Sequence, residues 1–148
     1  MNKQNSTIMK LAETALLAAL CYVSFTFLQI KIPVPGGDAT SLHIGNTFCV
    51  LGALLLGGWY GGLAGSIGMT IADLMDPVYI TGAPKTFVLK LCIGLITGLV
   101  AHKIAKINET NDKKYVFKWS LIASIAGLAF NAVSYTHLRA HETIAHLV

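Results

Sequence analysis

The sequence predicts an all-α membrane protein, a helical bundle with five transmembrane helices, and three observations carry that prediction. Hydrophobic residues make up 54% of the 148 and charged ones only 12%, whereas a soluble domain of this length needs a charged face on each helix. The 11 basic and 7 acidic side chains lie mostly between apolar runs rather than inside them. Those runs approach the ~20 residues that span the hydrocarbon core, where only helices and closed barrels satisfy their backbone groups. Strand-like alternation is absent, so helices are the choice.

Residues 42–101 organise the chain: a glycine-threaded apolar stretch broken by a polar patch at 73–85, which carries Asp73, Asp76, Pro77, Tyr79, Thr81, Pro84 and Lys85. The patch reads as an outward loop at a binding site.

The first apolar run spans about residues 8–30, with Lys10 and Glu13 near its start, spaced to pair at i,i+3. A signal peptide is the rival reading, but the run is long and lacks a clear small-residue cleavage site. Ala15 and Ala19, with Ala12 and Ala18 nearby, leave one flank shallow enough for another helix backbone to approach. Residues 31–41 follow as a loop broken by Pro33, Pro35, Gly36 and Gly37, with Asp38 its only acid. His43 and Asn46 come next, three residues apart at the start of the second helix, on neighbouring positions that suit a polar ligand.

The second helix is expected over 42–56 and the third over 59–74, with a tight turn between. Gly57, Gly58, Gly61, Gly62 and Gly65 form overlapping small-x-x-x-small pairs, while Trp59 and Tyr60 suit the membrane interface. A phosphate loop requires a Gly-Lys-Ser/Thr ending after a strand, and neither is present, so these glycines read as close helix packing. Asp73 ends the third helix and Asp76 lies just beyond it. The fourth helix, about 85–104, contains Lys90 one to two turns from its start. An ammonium at that depth costs several kcal/mol unless it snorkels, finds a partner or faces a wet cavity. Lys90 therefore either pairs with Asp73 or contacts a ligand, or does both.

Residues 102–118 are polar and rich in lysine: Lys103, Lys106, Lys113, Lys114 and Lys118 against Glu109 and Asp112. With the N-terminus inside, four crossings return the chain to the cytoplasm at this basic segment, as the positive-inside rule requires. The net charge of +4 is thus a topology signal and not a mark of nucleic-acid binding. The fifth run, about 118–132, holds Ala123, Gly127 and the polar Asn131. From Ser134 the composition changes abruptly. His137, His141 and His146 crowd a short tail that resembles a translated sequencing-adapter artefact more than a metal site, dividing the chain into 1–133 and an atypical 134–148. The natural chain is expected to continue differently, with a sixth helix.

Cys21, Cys49 and Cys92 sit singly in separate runs without metal-ligand spacing, and read as packing residues. Asp73 and Asp76 resemble paired carboxylates, but without a metal motif or partner base they are a weak enzyme signal. No metal, cofactor or catalytic residue is expected in this chain. Beside a substrate-binding role, a small membrane enzyme using Asp73, Asp76 and Lys90, or an accessory scaffold that binds only partner helices, stay open on these residues.

The order of several motifs carries a resemblance. Ala15 and Ala19, Ile32-Pro33-Val34-Pro35, Leu42-His43-Ile44-Gly45, Leu51-Gly52-Ala53-Leu54-Leu55-Leu56-Gly57, Ala72-Asp73-Leu74, and residues 86–90 followed by Gly94 together resemble the substrate-binding S component of energy-coupling factor (ECF) transporters, closest to the riboflavin-type branch, over roughly residues 10–132. The resemblance implies a six-helix plasma-membrane protein that captures a vitamin or related micronutrient from outside. Its implied partners are a transmembrane coupling protein, met through Ala15 and Ala19, and two ATP-binding-cassette ATPases that hydrolyse the ATP. It implies that the component topples in the membrane to deliver its substrate. On that reading Asp38, His43, Asp73, Asp76 and Lys85 admit or enclose substrate, and Asn46, Lys90 and Asn131 offer polar contacts within. A flavin, a thiamine precursor or another vitamin suits the same sparse polar set.

Overall fold

A computed structural model describes residues 3–33, 39–77 and 79–147. Among these, five α-helices form the bundle: α1 (Lys3–Phe27), α2 (Gly45–Leu56), α3 (Gly58–Met75), α4 (Ala83–Gly98) and α5 (Lys113–Leu147). α1, α4 with its continuation, and α5 are long and apolar enough to cross a membrane. The 12 residues of α2 rise only about 18 Å, short of the hydrocarbon thickness.

One expectation is corrected at once. The segment read as a plain loop forms an antiparallel hairpin, β1 (Gln29–Pro33) with β2 (Ala39–His43), in which Gln29 stands opposite His43 and Pro33 opposite Ala39. Period-two patterning is invisible here because each strand is only five residues long. The second helix accordingly begins three residues later than expected, and His43 ends a strand while Asn46 lies in the first turn of α2, so the two do not share a helical face.

The helix boundaries follow from local chemistry. Gly57 separates α2 from α3 at φ 97° and ψ 160°, a conformation open essentially to glycine alone. Asp76 stops α3 in an extended conformation, as the residue before Pro77 must. Pro84 fits the first turn of α4, where a missing N–H costs nothing. Beyond Gly98 the helix widens into a π-helical segment, Leu99–Ile104, closed by Lys106 in the left-handed region at φ 49°. Asp112 Oδ1 accepts the backbone N–H of Lys114 at 3.0 Å and caps α5. α5 then runs to Leu147 without a break at Ser134, where the composition changes.

α3 is the hub, packed against α1, α2 and α4, while α5 leans chiefly on α4. The glycines read as packing residues do pack. A Cβ on Gly61 would overlap the backbone of Gly52 and Ala53 in α2, and one on Gly94 or Gly98 would overlap Gly62 or Gly58 across the α3–α4 seam. Lipid tails are as apolar as leucine, so backbone approach of this kind supplies the dispersion contact that water would otherwise drive. Two of the three cysteines pack as expected: Cys21 and Cys49 are fully buried in a core with Phe25, Val50, Met69, Ala72 and Ile93, while Cys92 is half-buried. Small hydroxyls in the apolar helices satisfy themselves on preceding carbonyls, Thr14 on Lys10 at 2.6 Å and Ser124 on Ser120 at 2.7 Å. Lys10 does not pair with Glu13; its ammonium lies 5.9 Å from the Tyr60 ring centroid, joining α1 to α3.

Candidate functional site

The polar residues of the bundle converge at its hairpin end. Asp73, in the last turn of α3, is 3% exposed, and Lys90, two turns into α4, is 7% exposed. The Asp73 carboxylate accepts the Thr86 hydroxyl and lies close enough to Lys90 for the two charges to attract. Opposite charges buried together stabilise each other only in combination, because either one alone would stand uncompensated in an apolar interior. Around them, Asn46 Oδ1 and Thr70 Oγ1 are buried without a hydrogen-bond partner. A buried acceptor without a partner costs about 1–3 kcal/mol.

The patch at 73–85 is less a loop than two helix ends and a stitched turn. The Asp76 carbonyl accepts the N–H groups of Tyr79 (3.0 Å) and Ile80 (3.1 Å), and a 3₁₀ turn, Ile80–Gly82, leads into α4. Tyr79 packs edge-on against Phe25 of α1, ring centroids 6.2 Å apart, which ties this turn to the helix preceding the hairpin. Lys85 lies in the first turn of α4, 5.5 Å from the Tyr135 ring centroid on α5. Gly127 abuts Thr97 and Ile93. Asn131, one helical turn from both Gly127 and Tyr135, therefore stands beside α4 at the level of Leu89 and Lys90, its Oδ1 buried without a partner.

Seven sequence-chosen positions thus have a place. Asp73, Asp76, Lys85, Lys90 and Asn131 belong to one end of the α3–α4–α5 assembly, Asn46 opens α2, and His43 closes β2. Asp38 lies outside the described residues. Ala15 and Ala19 are elsewhere, on an apolar groove of about 500 Å³ between α1 and α3, floored by Gly68 and walled by Ile67 and Ile71. Thr86, Thr70 and Gln29, whose Oε1 is also buried without a partner, were missed in the sequence. Thr86 carried a legible signal, since it stands four residues before Lys90 and so one turn along the same helical face. Thr70 and Gln29 carried none.

This arrangement defines a polytopic helical membrane protein with a sparse polar site inside an apolar bundle. Among the described residues no three His, Cys, Asp or Glu side chains gather to hold a metal. The model of the family "ECF-type riboflavin transporter, S component" matches residues 5–147, and the chain belongs to that family. A protein of Pyrococcus woesei, described as an uncharacterized protein in gap 3'region, is 34% identical over 76 residues, 51% of this chain and 49% of its own length. The chain thus spans about half the length of that curated relative. No solved structure matches.

Proposed function

We propose that this chain captures riboflavin, or a vitamin of similar size and polarity, at its hairpin end, and that this end faces outward with the N-terminus in the cytoplasm. The observation that supports this reading best is the company of buried Asp73 and Lys90 with half-buried Thr86, a donor and acceptor set within one apolar bundle whose family is a transporter S component. An uncharged heterocycle with both carbonyl and N–H groups suits such a pair, the ammonium donating to a carbonyl and the carboxylate accepting from N–H. Asn46 and Asn131 add acceptors, and Asp38, His43, Asp76 and Lys85 serve to admit the substrate.

Orientation follows from charge. Four helices separate the N-terminus from the lysine-rich segment between α4 and α5, so both lie at one end of the bundle, and both belong inside. The chain carries out no chemistry of its own. A transmembrane coupling protein docks on the Ala15 and Ala19 groove, and two ABC-type ATPases hydrolyse the ATP that drives delivery. On this reading the S-component domain covers residues 1–133, and residues 134–148 are an atypical tail.

The test is quenching of riboflavin fluorescence on titration with purified protein in nanodiscs, with thiamine and biotin as comparisons. Saturable quenching by riboflavin, lost in Lys90→Met, is the expected outcome. Failure of every vitamin to bind would sink the capture reading and favour a scaffold subunit.

A further inference from the structure

The end of the bundle opposite the hairpin carries a second feature that substrate capture does not use. Lys103, Lys106, Lys113, Lys114 and Lys118 are all exposed there, and their two acidic neighbours are engaged: Glu109 pairs with Lys106 at 3.5 Å, and Asp112 caps α5. Among the described residues, Lys103, Lys113, Lys114 and Lys118 have no acid within 4.0 Å. One of them, Lys113, lines a shallow hollow of about 470 Å³ with Thr110, Asn111, Val116, Phe117 and Ser120.

The hollow is lined by both polar and apolar side chains, and an apolar stripe continues from its Phe117. Phe117 is 73% exposed, and Leu121 and Ile125, each four residues further on, are 53% and 59% exposed. Spacing of four keeps them on one face of α5, a stripe that descends from the lysines along the length of the span. Tyr115 and Trp119 pack ring to ring beside it, 6.1 Å between centroids, where amphipathic aromatics mark the headgroup level.

We propose that this face binds an anionic phospholipid, the phosphate seated among Lys113, Lys114 and Lys118 and one acyl chain laid along Phe117, Leu121 and Ile125. Charge complementarity selects the headgroup, and the continuous apolar stripe below it selects a lipid over a free phosphate or a soluble acidic surface. Lysine stems snorkel alongside the chain while their ammonium groups stay at the interface. The bound lipid fixes the depth of α5, a helix that leans chiefly on one neighbour.

Native mass spectrometry tests this on the full chain, released from neutral detergent after incubation with an equimolar mixture of phosphatidylglycerol and phosphatidylcholine of the same chain length. Phosphatidylglycerol adducts should dominate, fall about tenfold in the Lys113→Gln, Lys114→Gln, Lys118→Gln triple variant, and survive excess inorganic phosphate. The Lys85→Gln variant, altered at the hairpin end, should retain them. Equal retention of the two lipids overturns the proposal, as does a triple variant that binds as well as the parent. Displacement by phosphate would reduce the site to an anion patch, and loss of partner assembly with lipid retention unchanged would assign the lysines to an acidic protein surface; either result also overturns it. Circular dichroism of the triple variant, expected to match the parent, separates lost binding from lost fold.

Discussion

α3 and α5 are helices of the same apolar bundle, and they occupy it in opposite ways. Half of α3 is buried, including Gly61, Gly62, Ala64, Gly65, Ser66, Gly68 and Asp73. Along the described side chains of α5, only Ala123 and Gly127 are buried. Hydropathy does not explain the contrast, since α5 holds one of the clear membrane-spanning windows while the glycine-rich α3 does not. Glycine does. In lipid, a helix gains partners by letting their backbones approach, and it gains a polar interior only where such approach has already excluded lipid. Asp73 and Lys90 are buried on the two helices whose seam is closed by Gly58, Gly62, Gly94 and Gly98.

The largest test of that contrast removes one charge from the seam. Asp73→Ala removes the carboxylate whose field favours the buried Lys90 ammonium, and a buried charge left uncompensated is destabilising. Thermal unfolding in detergent should show a large drop for Asp73→Ala and a substantial recovery when Lys90→Met is added. A double variant no more stable than the single one would mean that the two charges are not coupled.

A second, smaller test widens the seam without touching its charges. A methyl group on Gly94 meets the backbone of Gly62, which cannot rotate away, so Gly94→Ala should destabilise by about 1–3 kcal/mol. Gly127→Ala is its control on α5. There the nearest atom is the Thr97 hydroxyl, a side chain able to turn, although the Ile93 carbonyl at 3.1 Å limits the room. Its loss of thermal stability should be the smaller of the two; the reverse order would deny the seam its special role.

Much of this contrast was legible in the sequence. The overlapping glycine spacings announced close packing of α3, and the isolated Lys90 announced a charge within the bundle, because both signals depend on residue type and on neighbours within a turn. Family resemblance added the class of protein. The hairpin was not legible: five-residue strands flanked by proline and glycine look like loop, and only the pairing of Gln29 with His43 across the turn makes them strands. For the same reason the expected partnership of His43 with Asn46 failed, since a shift of the α2 start by three residues moved one of them out of the helix. Thr70 and Gln29 were silent because an apolar bundle tolerates many polar residues that satisfy themselves locally, as Thr14 and Ser124 do, and sequence does not tell which ones are left without a partner.

The smallest effect belongs to the lipid side of α5. Ile125 is 59% exposed within the bundle, so its side chain meets acyl chains both in the folded protein and in the separated helix. Folding transfers little of it from one environment to another, and Ile125→Ala should change thermal stability by no more than about 0.5 kcal/mol, the range of surface substitutions. The neighbouring Ala123, fully buried with Ala101 and Ala105, lies two residues away and faces the other way. Ala123→Ile adds three carbons to a closed contact and should cost about 1–3 kcal/mol. The pair exchanges the same two residue types at positions of similar depth, so hydrophobicity and bilayer insertion largely cancel and packing decides the result. Equal shifts for the two would mean that α5 turns freely against α4, and the distinction between its packed and lipid-facing sides would fall.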